Sequence, residues 1–147
     1  MELLAYWIEK QYKYDSKKNF DYCFNSISKK FQLVEIGDTV WLFTSKKVDG
    51  EKEYYLAGKL IVDGKSENDA RNSQINKISG QPKLSAYYQI ENQDSIEKMI
   101  REYGFGVKGK TLGSSFQGYG SVKIIPPELH ERILKHSQDL PRKHINK

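Results

Sequence analysis

A single cysteine, Cys23, stands in the chain, so neither an internal disulfide framework nor a multi-thiolate zinc site can be built from it. Apolar runs extend only a few residues, far short of the ~20 that span a bilayer as a helix. The opening MELLAYWIEK has no basic lead before its apolar stretch and no small-residue cleavage site, which is unlike a secretory leader. These features give the expectation of a soluble, cytoplasmic protein without membrane contact. Histidine is scarce as well. His130, His136 and His144 are not spaced one helical turn from one another, so a shared metal is not expected, and His130 and His136 read as exposed helix residues. His144 with Asn146 is too little to make a nuclease signature. No phosphate-binding GxxxxGK[ST] occurs; Lys108-Gly109-Lys110-Thr111 shares only the tail of that pattern. The carboxylates are scattered, with none paired in an apolar setting that would raise its pKa. The sequence therefore supports no catalytic residue, metal or cofactor.

What the chain does have is aromatic residues and positive charge. Ten tyrosines and a 12% aromatic share argue against disorder even at a mean hydropathy of −0.73, and 147 residues suffice for one domain with a buried core. Net charge is +5, unevenly spread. Across 10–30, Lys10, Lys13, Lys17, Lys18, Lys29 and Lys30 face only Asp15 and Asp21; across 101–123, Arg101, Lys108, Lys110 and Lys123 face only Glu102. Basic stretches interleaved with Tyr and Phe suit a polyanion whose bases can be stacked upon. The same pattern also describes a solvated, lysine-rich surface, and charge alone does not separate the two.

Taken in order, 3–9 reads as a strand with Tyr6-Trp7 near its middle. Phe20, Phe24, Ile27 and Phe31 recur at helical spacing, predicting a helix over 17–31 with Cys23 as a packing residue. Ile36-Gly37-Asp38 is a turn. Strand 39–44 (TVWLFT) directs Val40 and Leu42 one way and Trp41 and Phe43 the other; both faces being apolar suggests cover on both sides, as in a small barrel. Asp49-Gly50 turns the chain into strand 53–62, where Gly58 signals a bulge or close approach. Residues 63–83 are polar and aperiodic and read as a long loop. A strand over 84–90 follows, then a short helix with Asp94 and Glu97 as a capping box, the stripe Ile96, Met99, Ile100 and Tyr103, and Gly104 as its stop. A last strand over 121–125 precedes a helix opened by Pro126-Pro127 and buried through Leu129, Ile133 and Leu134. After His136 the chain turns polar and basic. The expected domain is 1–136, with 137–147 a tail or linker; the expected class is α+β, a small mixed β-barrel of five to six strands flanked by short helices.

The glycine-rich stretch 109–125, GKTLGSSFQGYGSVKII, is the richest in candidate binding groups. Glycine permits close backbone approach, aromatic rings offer stacking faces, and hydroxyls and amides read a hydrogen-bonding edge. Taken alone, a glycine-rich hairpin with an aromatic in the core explains it more simply. With the strands included, the candidate base-binding set is Trp7, Trp41, Phe43, Thr44, Ser45, Ser114, Ser115, Phe116, Gln117 and Tyr119, and most of the rings must be core. Tyr54 and Tyr55 belong to the same aromatic ensemble. Lys13, Lys17, Lys18, Lys46, Lys108 and Lys110 are the candidate phosphate contacts.

The ordered set of motifs resembles a known family. YWI (Tyr6-Trp7-Ile8) opens the chain; GDTVWLFTS ends at Ser45; EYYLAGKLIV returns with an Ala-Gly pair; SSFQGYGSVKIIPPELHERIL closes it. The series resembles the EVE domain of the PUA-like superfamily, kin to YTH readers and more distantly to SRA domains, over about 4–134. The resemblance implies a PUA-like barrel whose pocket accepts a flipped, modified base: methylated or hydroxymethylated cytosine, or N6-methyladenine. Trp7 would lie in its wall, Phe43, Thr44 and Ser45 at its rim, and Phe116 and Gln117 in its late loop. Where the family often has tyrosine-histidine before the serine, this chain has Phe43-Thr44. The implied partner is nucleic acid, modified DNA ahead of RNA, in a restriction or defence system, with a fused or associated nuclease left open. The alternatives are an RNA- or nucleotide-directed enzyme, an RNA-modification-associated PUA-like protein, and a protein-interaction adaptor on the same barrel.

Overall fold

The computed structural model describes residues 1–16, 21–26, 33–69, 72–116 and 122–143. They form a mixed α+β fold with eight strands and three helices. The strands are β1 (Glu2–Tyr6), β2 (Cys23–Ser26), β3 (Thr39–Val48), β4 (Glu51–Asp69), β5 (Asn72–Gly80), β6 (Ala86–Tyr88), β7 (Lys123–Ile124) and β8 (Arg142–Lys143). The helices are α1 (Glu9–Ser16), α2 (Glu97–Glu102) and α3 (Pro127–Gln138), and a 3-10 turn covers Gly113–Phe116. The sheet is an open path in the order β2-β5-β4-β3-β1-β7, with β6 added to β4 and β8 to β6. β1 runs parallel to β3, Leu4 opposite Trp41 and Tyr6 opposite Phe43; β3 and β4 form an antiparallel hairpin. Asp49 and Gly50 both have positive φ, 52° and 83°, as a two-residue hairpin turn that follows the sheet's twist requires.

Period-two alternation in β3 divides the core between two faces. Val40 and Leu42 join Leu3, Ala5, Trp7, Phe24, Leu60, Ile78 and Tyr87 on one face. Trp41 and Phe43 join Leu4, Tyr6, Tyr54, Leu56, Phe116, Leu129 and Ile133 on the other, where α2 and α3 pack. In β4 the alternation changes sides at a bulge. Leu42 pairs Gly58 but Phe43 pairs Leu56, so Ala57 is the extra residue, and Tyr54 and Leu56 come to lie under the helices while Leu60 and Val62 face away. At Gly58 a Cβ would stand 2.9 Å from Tyr87 Cδ1, so the position shows both the bulge and the close approach expected of it.

Several expectations need correction. The helix predicted over 17–31 is strand over Cys23–Ser26, with Phe24 paired to Ile78 and buried against Trp7; positions 17–20 and 27–32 lie outside the described residues. A four-residue spacing fits one face of a strand as well as a helical turn, which is why the pattern misled. The polar stretch 63–83 is largely the β4–β5 ribbon, not a loop. Its backbone bonds are satisfied strand to strand, so the ribbon forms without a regular apolar period in the sequence. No side chain caps α2: its N-cap is Ile96, and only Ser95 Oγ lies near, accepting from the Glu97 N–H at 3.3 Å. The stripe Ile96, Met99, Ile100 and Tyr103 does pack inward, and Gly104 follows the helix with φ +87°. The expected boundary at 136 falls inside α3, and the chain beyond it returns as β8, pairing Tyr87 with Lys143 and Tyr88 with Arg142.

Candidate nucleic-acid interface

The residues expected to share one base pocket are divided by the sheet. Trp41, Phe43 and Phe116 are fully buried under the helices, at 0% exposure. Phe43 meets Phe116 edge-on at 4.9 Å and Tyr6 at 5.0 Å, and Lys123 Nζ lies 5.6 Å from the Phe116 ring centre. These rings present no face to solvent. Ser45 is buried, with its hydroxyl 2.7 Å from the Tyr6 hydroxyl, and the Thr44 hydroxyl donates to the Trp7 carbonyl at 2.7 Å. Ser114 is exposed and donates to the Thr111 carbonyl; Ser115 is half-buried, with Oγ enclosed and unpartnered. Gln117 and Tyr119 lie outside the described residues.

Trp7 lies on the opposite face, at the bottom of a different ring cluster. Its indole meets Tyr12 edge-on at 5.1 Å, Phe24 at 5.7 Å and Tyr87 at 5.7 Å, and Tyr22 stands 5.0 Å from Tyr87. The indole N–H donates to Asp15 Oδ2 at 3.0 Å, and Gln11 Nε2 donates to the other Asp15 oxygen at 2.8 Å, fixing the carboxylate. The Tyr87 hydroxyl accepts from the Cys23 N–H and donates to the Cys23 carbonyl, both at 3.0 Å, which ties β2 to β6. Lys143 Nζ sits 5.3 Å from the Tyr12 ring centre, within cation–π range. Burial pushes the Tyr12 hydroxyl up to about 12 and raises Tyr87 as well, so both stay neutral donors. Burial, then the Asp21 carboxylate, pushes the Cys23 thiol up to about 11, which disfavours its thiolate. Tyr12, Trp7, Phe24 and Tyr87 are buried, whereas Tyr22 and Tyr55 are half-buried and Tyr14 on α1 is 56% exposed.

Among the expected phosphate contacts, Lys13 is exposed on α1 and lies 3.6 Å from Glu9. Lys46 is exposed on the β3–β4 hairpin directly opposite Glu53, which offsets its charge. Lys17 and Lys18 lie outside the described residues. Lys108 and Lys110 are both exposed, on a turn in which the Lys110 N–H donates to the Val107 carbonyl at 3.0 Å. Alongside, an open concavity of about 560 Å³ is lined by Ser95, Glu97, Lys98, Arg101 and Glu102. Its charges are largely paired, Arg101 with Glu97 and Glu102 with Arg132 of α3.

The expected exposed histidines are instead half-buried and bonded. Trp41 Nε1 donates to His130 Nδ1 at 3.0 Å, and His136 Nε2 lies 3.1 Å from Gln93 Oε1. Gln93 also bridges both backbone groups of Leu56, so it acts as one more rung of the sheet. Among the described residues no group of His, Cys, Asp or Glu side chains is arranged to hold a metal ion, and no helix is long and apolar enough to cross a membrane.

Sequence reasoning identified Trp7 but missed Tyr12, Phe24 and Tyr87 as its neighbours and Tyr22 as the ring beside Tyr87. The available signal was the tyrosine-rich EKQYKYDS directly after Trp7 and the Tyr-Tyr pair in LSAYYQI. No family model matches this chain, and no curated protein matches it in sequence.

Proposed function

We propose that the chain is a nucleic-acid-binding domain of the PUA-like, modified-base-reading kind, and that it takes its base at the ring cluster around Trp7. The observation that carries this reading is one coincidence. α1 and the segment 21–26 that runs into β2 both belong to the lysine-rich stretch 10–30, and they also set Tyr12 and Phe24 against Trp7 and Tyr22 against Tyr87. Cations beside stackable rings are what a backbone with accessible bases requires. In this reading half-buried Tyr22 offers the accessible face, Tyr87 beneath it and Trp7 beyond form the floor, and Asp15 accepts from an exocyclic amino group. Lysines hold the phosphates. The resemblance to EVE domains supports a PUA-like barrel curvature and a preference for modified cytosine or adenine.

Extruding a base costs a few kcal/mol, and each aromatic contact returns roughly 1–3 kcal/mol. A methyl group that fills an apolar recess adds about 1 kcal/mol, so discrimination between modified and plain base is about fivefold. The test is fluorescence anisotropy across DNA and RNA oligonucleotides carrying 5-methylcytosine, 5-hydroxymethylcytosine, N6-methyladenine or no modification. Salt-sensitive binding that favours one modified set is the expected outcome. Equal affinity for modified and plain strands removes the reader assignment, and absence of binding removes nucleic acid altogether.

A further inference from the structure

The exposed lysines at 108 and 110 sit on a turn whose shape is held from outside by one arginine. Residues 107–110 form a β-turn closed by the Lys110 N–H to Val107 carbonyl bond, and Gly109 at its third position has φ +82°, as a type II turn requires. Arg101, in the last turn of α2, uses its Nε on Glu97 Oε2 at 2.7 Å. Its two remaining nitrogens reach the two ends of the turn: one donates to the Lys110 carbonyl at 2.7 Å, and the other makes a longer contact of 3.5 Å with the Val107 carbonyl. The approach depends on Gly106, φ +95°, where a Cβ would stand 2.9 Å from the guanidinium and 3.1 Å from Leu112 Cδ1. The planar fork thus closes across the base of the turn while both lysine side chains remain exposed.

We infer that Arg101 is a positioning residue for nucleic-acid binding: it holds the 107–110 turn in the shape that sets Lys108 and Lys110 as a pair on adjacent phosphates. This rests on the nucleic-acid reading above and adds to it a place and a geometry for backbone contact, away from the rings around Trp7. A lysine at 101 would keep the charge but lose the fork, so charge and shape can be separated experimentally.

The experiment measures affinity for a fluorescein-labelled DNA duplex carrying 5-methylcytosine as a function of salt. Each phosphate contact adds roughly 0.9 to the slope of log K against log salt on duplex DNA. Lys108→Ala with Lys110→Ala should lower the slope by up to about 1.8. Arg101→Lys and Arg101→Gln should each lower it in the same direction, and adding Arg101→Gln to the double lysine variant should change nothing further. Gly106→Ala, whose Cβ would stand against the Arg101 guanidinium without altering any charge, should match Arg101→Gln, with thermal melts confirming that each variant is folded. A wild-type slope in Arg101→Lys overturns the inference, because charge alone then suffices. A wild-type slope in Gly106→Ala overturns it equally. If the unsubstituted protein binds no duplex at any salt, the nucleic-acid reading itself has failed, and this inference with it.

Discussion

The two faces of the sheet carry similar numbers of rings and use them differently. Under the helices, Trp41, Phe43, Tyr54 and Phe116 interlock and are sealed by α2, α3 and the 3-10 turn; their polar atoms are satisfied internally, as in the Trp41 bond to His130. On the opposite face Trp7, Tyr12, Phe24 and Tyr87 are buried beneath one short helix and a four-residue strand; each face keeps rings half-buried at its margin, Tyr22 and Tyr55 here and Tyr103 and Phe105 under the helices. What differs is the setting of the half-buried rings: Tyr22 lies within the lysine-rich stretch 10–30, and the proposed function places the ligand there. Composition alone gives both sets the same weight.

The sharpest way to break this comparison is to truncate one ring from each face. Phe43→Ala removes a fully buried ring and should destabilise the protein by about 3–5 kcal/mol, read as a drop in the denaturant midpoint. A loss under 1 kcal/mol would mean that the helix face is looser than described. Tyr22→Ala, at a half-buried ring, should cost far less stability but weaken oligonucleotide binding by about 1–3 kcal/mol. If the two variants exchange effects, the assignment of the faces is wrong.

Gly58→Ala probes the seam between the faces. Its new methyl would meet the Tyr87 ring at 2.9 Å and the Ala86 carbonyl at 3.2 Å, and overpacking of this kind costs about 1–3 kcal/mol. Because Tyr87 also ties β2 to β6, the substitution should lower binding as well as stability; unchanged thermal melts would contradict the close approach.

The smallest expected effect is a pH dependence. Burial holds His136 below the usual histidine value, with Asp94 opposing in part. Its folded-state pKa is thus below its unfolded one, so the unfolded chain binds more protons between the two. The stability from neutral His136 is complete above the ordinary value of about 6.5 and is lost as pH falls through the folded value. His136→Gln should flatten the rise of the urea midpoint with pH over that interval, and an unaltered profile would exclude His136 as its source.

Much of the helix face was legible in the sequence because its signals are local. Trp41 and Phe43 alternate with Val40 and Leu42 within a single strand, and Pro126-Pro127, Leu129 and Ile133 announce α3. The ring face was not, because it is assembled from distant parts. Tyr12, Tyr22 and Tyr87 meet only once β2 pairs with β5 and β6 with β4, and no spacing rule links them. Phe20 and Phe24, four apart, satisfied helix and strand alike. The β4–β5 ribbon carried no apolar period in the sequence, and strand-to-strand backbone pairing forms it all the same. Arg101 stood in the sequence only as one of the basic residues of 101–123, and its hold on the turn shows in the fold, where Gly106 leaves room for the guanidinium.

The chain's two tryptophans report on the two faces separately, since Trp7 bonds Asp15 on one and Trp41 bonds His130 on the other. Their indole N–H resonances, followed by NMR while a 5-methylcytosine oligonucleotide is titrated in, tell which face meets the base. With a base bound beside Trp7, its resonance shifts to saturation while that of Trp41 stays in place. Movement of Trp41 with Trp7 unchanged would contradict that placement of the base.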